Sequence, residues 1–197
     1  IRFVRGEPVL TVAITLSLML NFFVAPFMPS MVMITKQRFA GTPSMLAFLE
    51  MGFFVGMALG AVILSKIRIR RVGVAFSVSL TFAALMFIPM GYTYDPKVFW
   101  TANFLCGICI PPAAIPMNTL TQLRTPDALR GRVNSVTSMS SMLIMPIGYA
   151  LSGILLARLG ITGTFWFMTV GLGLAPLFGL LHREFRGAVL EGTGEAS

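Results

Sequence analysis

Five stretches of the chain contain no Asp, Glu, Lys or Arg: residues 8–35, 72–94, 98–123, 133–157 and 159–181. A sixth, 39–65, is interrupted only by Glu50. A helix on the surface of a water-soluble protein shows a polar face at helical spacing, and these runs show none. A helix that crosses the roughly 30 Å of bilayer hydrocarbon needs about 20 apolar residues. The pattern therefore predicts an all-α integral membrane domain of six transmembrane helices over 9–181, with spans at about 9–34, 44–65, 74–92, 98–120, 133–157 and 162–181. The connections at 35–43, 66–73, 93–97, 121–132 and 158–161 are too short to hold a soluble domain. Residues 1–8 read as the end of a cytoplasmic linker, and the polar, Gly-rich 182–197 as a disordered tail.

Composition agrees with the pattern. Of 197 residues, 56% are hydrophobic and 11% charged, whereas a soluble domain carries about 25% charged residues to keep its surface wet. No cleavable signal peptide is predicted. The first apolar run is too long for one, and Ile1 is not an initiator Met, so the chain reads as part of a longer protein.

The formal charge of +8 takes its meaning from position. Six spans put both termini on one side, together with Arg2, Arg5, Lys66, Arg68, Arg70, Arg71, Arg124, Arg130, Arg132, Arg183 and Arg186. The other side holds Lys36, Arg38, Lys97 and Arg158. The positive-inside rule then predicts cytoplasmic termini in a multi-pass plasma membrane protein. Because the basic residues mark span ends rather than one aromatic-laced face, no nucleic-acid partner is expected. Membrane lipid is the surrounding partner.

"GMALGAVILSKI" from Gly56 resembles "GYALSGILLARL" from Gly148, with Gly, Ala and Leu at the same offsets and a basic residue near each end. The two stretches run in opposite directions through the membrane, as in transporters built from inverted three-helix repeats.

Few residues in the spans carry chemistry. Glu50 is an acid inside an apolar run, which insertion scales place at a cost of about 2.5–3.5 kcal/mol and which makes it a functional candidate by default. At about 100° per residue it projects roughly opposite Gly52, Gly56 and Gly60, a small-residue row that lets another helix approach closely, for static packing or as a sliding contact. Two roles stay open for Glu50: a proton carrier in transport, or an outer-gate partner of Lys36 or Arg38. Asn21, Asn103 and Asn118, with a band of hydroxyls from Ser135 to Ser141, are candidates either to face a substrate or to tie helices together. Pro111, Pro112 and Pro116 predict a kinked or broken fourth span. In "TPDALRGRVNSV", Thr125 is placed to N-cap a short helix with Pro126 at its first position. Asp127 and Arg130 then meet on one turn, and Gly131 permits a sharp re-entry into the fifth span. "CGIC" (Cys106, Cys109) lacks a His or a second pair nearby, and no metal or cofactor is expected.

These stretches resemble the C-terminal six-helix half (helices 7–12) of a major facilitator superfamily transporter, nearest its macrolide-efflux and siderophore-exporter branch. "RFVRGEPVL" and "NFF" are similar to the start and middle of that family's seventh helix, and "GMALGAVILSKIRIRRVG" to its helix 8–9 junction. "TPDALRGRVNSV" resembles the loop before helix eleven, and "PIGYALSG" its proline–glycine pattern with Pro146, Gly148 and Gly153. The resemblance implies a twelve-helix, alternating-access secondary transporter, commonly driven by proton exchange, whose N-terminal six-helix half is the missing partner. It places Asp127, Arg130 and Arg132 in a cytoplasmic gate, and gives Gly148 and Gly153 close packing roles. Where the family's helix 8–9 loop carries an acid, this chain has Leu64, Ser65 and Lys66. The expected function is proton-coupled efflux of small amphipathic molecules. A lysolipid or metabolite transporter is the nearest alternative, and a non-transporting anchoring module the alternative from another class. Without a His, Asp and Glu cluster in the spans, an enzyme is not expected.

Overall fold

The computed structural model describes residues 8–39, 41–67, 69 and 71–181. The predicted tail at 182–197 and residues 1–7 of the linker predicted over 1–8 lie outside the described residues, while Pro8 already belongs to the first helix. The described residues form helices joined by short turns: α1 Pro8–Val24, α2 Phe27–Arg38, α3 Pro43–Ser65, α4 Val72–Tyr92, α5 Pro96–Arg124 and α6 Asp127–Leu181. Among the described residues, five helical stretches are long and apolar enough to cross a membrane, with α1 and α2 together forming the first. The last of them, Asp127–Leu177, has 51 residues, far more than the roughly 20 that one crossing needs. It is interrupted at Gly160, whose φ of 66° and ψ of −172° are not helical.

The chain doubles back at that glycine. Gly148, twelve residues before it, packs on Phe22 and Ala25 of the first span, while Gly171, eleven after it, packs on Phe23. Phe167 meets the same turn, its ring 5.2 Å from that of Phe23. The two limbs of α6 therefore run side by side against α1. Helix α5 sits centrally, packed on α3 and α4, while α4 and α1 pack on α6.

Local sequence explains most helix starts. Thr42 accepts a hydrogen bond from the Met45 amide ahead of Pro43, and Asp95 does the same for Lys97 ahead of Pro96; each satisfies an amide that the first helical turn leaves free. The third such dipeptide behaves differently. The buried Thr125 hydroxyl donates backward to the Thr121 carbonyl at 2.7 Å, so it ends α5 rather than capping the next helix. The Pro126 carbonyl accepts the first helical bonds, from Leu129 and Arg130. Nor does the chain re-enter at Gly131: one helix runs from Asp127 through it into the fifth predicted span.

Proline breaks a different span from the one expected. The fourth remains a single helix across Pro111, Pro112 and Pro116. Pro112 has no N–H for the Ile108 carbonyl, and Gly60 of α3 packs onto that carbonyl, close enough for a Cα–H contact. The break falls in the first span, at Ala25–Pro26. There Pro26 and Pro29 remove two helical donors within one turn.

Five phenylalanines hold one end together. The rings of Phe27 and Phe87 are 5.6 Å apart, Phe39 and Phe99 5.8 Å, and Phe165 lies 6.0 Å from Phe87 and 6.3 Å from Phe99. Since lipid tails are as apolar as these rings, the gain comes from packing, with about 0.5–1.5 kcal/mol for each well-placed ring pair.

Candidate functional site

The glycine row positions the site. Gly52, Gly56 and Gly60 are buried against α5, where an added Cβ would meet Trp100, the Phe104 carbonyl and the Ile108 carbonyl in turn. Gly107 of α5 reciprocates against the Phe53 carbonyl. With that face of α3 committed, Glu50 and Phe54 on the far side and Phe53 at the edge of the contact line a cavity of about 240 Å³. Asn21 and Phe27 from the first span, Phe87 from α4, Asn103 and Cys106 from α5, and Tyr149 from α6 complete much of its wall.

Asn103 is fully buried and its orientation is fixed. Its Nδ2 donates to the Leu49 carbonyl at 2.8 Å, which leaves Oδ1 turned away and without a hydrogen-bond partner. Asn21 is half-buried and its Nδ2 donates to the Ser17 carbonyl one turn back, at 2.7 Å. Three of the predicted residues, Glu50, Asn21 and Asn103, thus share one cavity. Asn118 does not. It lines a second cavity of about 550 Å³ toward the Arg124 end of α5, with Ser17, Thr121, Gln122, Asn134 and Thr137. Val24, Ile110 and Leu172 line both cavities and form the divide between them.

Glu50 has no ion pair among the described residues, so the expected pairing with Lys36 or Arg38 is not realised. Lys36 is exposed. Arg38 is engaged elsewhere: it donates to the carbonyls of Gly91 at 3.0 Å and Thr93 at 3.1 Å and to the Thr162 hydroxyl at 3.3 Å. Its guanidinium also lies 4.6 Å from the centre of the Tyr94 ring. The Thr162 hydroxyl in turn donates to the Gly91 carbonyl at 2.8 Å. This knot fastens the end of α2, the α4–α5 turn and the second limb of α6. Sequence reasoning missed it because an arginine at a span end reads first as a topology marker; its acceptors are backbone carbonyls, which leave no trace in side-chain identity.

At the opposite end, Asp127 and Arg130 pair at 2.6 Å as predicted, both well exposed. Arg130 Nε also donates to the Gln122 and Thr125 carbonyls at 3.2 and 3.3 Å, clamping the end of α5 to the start of α6. The Arg132 side chain lies outside the described residues. Gly148 packs closely, as expected, but Gly153 meets nothing within 4 Å and Pro146 is exposed; neither packs within this chain. From the hydroxyl band, Ser135 and Thr137 bond back to their own helix at the Gly131 and Val133 carbonyls.

Long apolar helices thus surround two neighbouring cavities that share Val24, Ile110 and Leu172. The profile of the Major Facilitator Superfamily matches residues 10–195. The chain belongs to that superfamily. A comparison with curated proteins finds no match. Major facilitator proteins are multi-pass membrane proteins and secondary transporters rather than enzymes, and both statements extend to this chain. For a major facilitator protein, wall residues matter more than catalytic groups. Sequence reasoning did not single out Phe53 and Phe54 beside Glu50, because phenylalanines in an apolar span equally suit lipid contact.

Proposed function

We propose that this chain is the C-terminal half, helices 7–12, of an alternating-access exporter of amphipathic small molecules driven by proton exchange. Gly160 is the outer turn between the fifth and sixth crossings. An N-terminal six-helix half covers the faces left open here, among them the exposed Gly153. The setting is the bacterial inner membrane, with cytoplasmic termini. The observation that carries this reading is the cavity at Glu50: an apolar chamber between the spans, lined by an acid and two amides. A few polar groups on an otherwise apolar wall suit orientation of a largely apolar ligand.

Glu50 is the only acid in the apolar runs and so the candidate in this half for carrying the proton. The Asp127–Arg130 clamp belongs to the cytoplasmic gate, with Arg132 beside it in sequence. The test is dye export by the full-length protein in inverted membrane vesicles, with a set of amphipathic fluorescent dyes and a respiratory proton gradient. Dye uptake that collapses on adding a protonophore supports the proposal. Dye movement that is indifferent to the gradient, or absent for the whole set, overturns it. In the same assay Glu50→Gln should lower gradient-driven uptake at least tenfold, and unchanged coupling would remove Glu50 from the proton path.

A further inference from the structure

We infer that the seam between α4 and the second limb of α6 holds a phospholipid. Its ester carbonyl accepts a hydrogen bond from the Tyr92 hydroxyl, and its acyl chain lies along the two helices beyond. This goes beyond the transport reading and does not depend on it. The seam starts at a polar pair. Trp166 Nε1 donates to the Tyr92 hydroxyl at 2.9 Å, and both side chains are exposed. A phenol that accepts one hydrogen bond keeps its own O–H to donate, and accepting from the indole strengthens that donor. Among the described residues this O–H finds no acceptor. Tyr92 is the last residue of α4. Trp166 follows the Gly160 turn by about 9 Å of helix. Both therefore sit near one end of the spans, where tyrosine and tryptophan meet the polar boundary of a bilayer.

Each residue of the pair heads an apolar stripe. On α4 the exposed Leu85, Phe82 and Val78 lead away from Tyr92, and on α6 Val170, Leu174 and Leu177 lead away from Trp166. The bond between Tyr92 and Trp166 sets the two stripes side by side. At about 100° per residue, the α4 stripe is turned roughly 180° from Ala83 and Phe87, which line the Glu50 cavity. The α6 stripe is turned roughly 150° from Leu172, which lines both cavities. Whatever closes the cavities therefore lies on the other side of these helices and does not cover the stripes. A second copy of the chain is a poor fit as well. Membrane helices that pack on one another present small residues, and these stripes consist of Val, Leu and Phe. Lipid suits the face in chemistry and in length. From Trp166 to Leu177 is about 16 Å, close to half of the roughly 30 Å hydrocarbon core and so to one leaflet. The Tyr92 hydroxyl turns general lipid contact into a site, because it requires an acceptor at the head of the chain.

The experiment is native mass spectrometry of the full-length protein, delipidated and then given an equimolar mixture of diacyl phosphatidylglycerol and its dialkyl ether analogue. The two share headgroup and chain length, and the ether lacks the ester carbonyls. The ester lipid is expected to be retained over the ether by roughly threefold or more, near the low end for one neutral hydrogen bond. Tyr92→Phe should bring that ratio to about one. Tyr94→Phe, an exposed tyrosine outside the pair, should leave it unchanged. Melting temperature reports that each variant is folded. Equal retention of the two lipids by the native protein overturns the inference, as does an ester preference that survives in Tyr92→Phe. A preference lost equally in Tyr94→Phe would make it a property of the whole interface and also overturn the site. A dimer that sheds the ester lipid as it forms would assign the face to a second copy instead.

Discussion

Adding a methyl group at Gly56 would drive it into the carbonyl oxygen of Phe104, with the carbonyl carbon only 2.9 Å away. Backbone cannot swing aside as a flexible side chain can, so α3 and α5 must separate. Gly56→Ala is expected to cost about 1–3 kcal/mol, the usual range for overpacking, read as a lower unfolding temperature of the purified full-length protein. Gly131→Ala is the control: it too lies within a helix, yet an added Cβ there meets nothing within 4 Å. Exchanging glycine for alanine at that site should be neutral, or stabilising by up to about 1 kcal/mol. Equal losses in the two variants would refute the account of the α3–α5 contact. The glycine row was legible because its spacing marks one helix face. Gly153 was not, because a sequence pattern says that a face is narrow without saying what occupies it.

Helix ends show where local grammar suffices. Thr42–Pro43 and Asp95–Pro96 begin helices as their side chains dictate. Thr125–Pro126 does not, since an i−4 carbonyl competes for the same hydroxyl. Proline breaks were harder still. Pro112 sits in an unbroken helix where a neighbouring glycine covers the freed carbonyl, a tertiary fact that no single span contains. Gly160 makes the strongest prediction at this level. Its φ of 66° with ψ of −172° lies in a region essentially reserved for glycine, costing other residues about 1–3 kcal/mol. No atom crowds its Cβ position, so the penalty is purely conformational. Gly160→Ala and Gly160→Asn should therefore lower stability alike, because the tolerance of Asn for left-handed helical dihedrals does not extend to this ψ. An Asn variant as stable as the native protein would show that the turn adopts another conformation. The Arg38 knot braces the same turn. Arg38→Lys keeps the charge but loses the fork that reaches three acceptors, and a loss of about 1.5–3 kcal/mol in unfolding free energy is expected. Stability unchanged by Lys would reduce Arg38 to a topology marker.

For the whole molecule, the membrane class was legible at once: six apolar runs and a charge-poor composition leave no other solution. The candidate site was legible only in part. Glu50, Asn21 and Asn103 could be named, but their meeting depends on three helices whose mutual rotation is set by glycine contacts and the phenylalanine cluster. Stacking of the two cavities was not legible at all. The lower one carries Asn118 and the upper one Met28, with Val24, Ile110 and Leu172 between them. Alternating access requires that these chambers open to opposite sides of the membrane and that opening one closes the other. In a background with Cys106 and Cys109 replaced by Ala, Met28→Cys and Asn118→Cys should be labelled by a membrane-impermeant maleimide from opposite faces of sealed vesicles. A ligand that traps one state should raise labelling at one position and lower it at the other by comparable factors, since both report a single equilibrium. Labelling of both positions from the same face would mean that the chambers form one vestibule. Ligand effects of the same sign at both would mean that the chain breathes without alternating. Opposed changes under a single ligand would tie the divide at Val24, Ile110 and Leu172 to the step that moves substrate across the membrane.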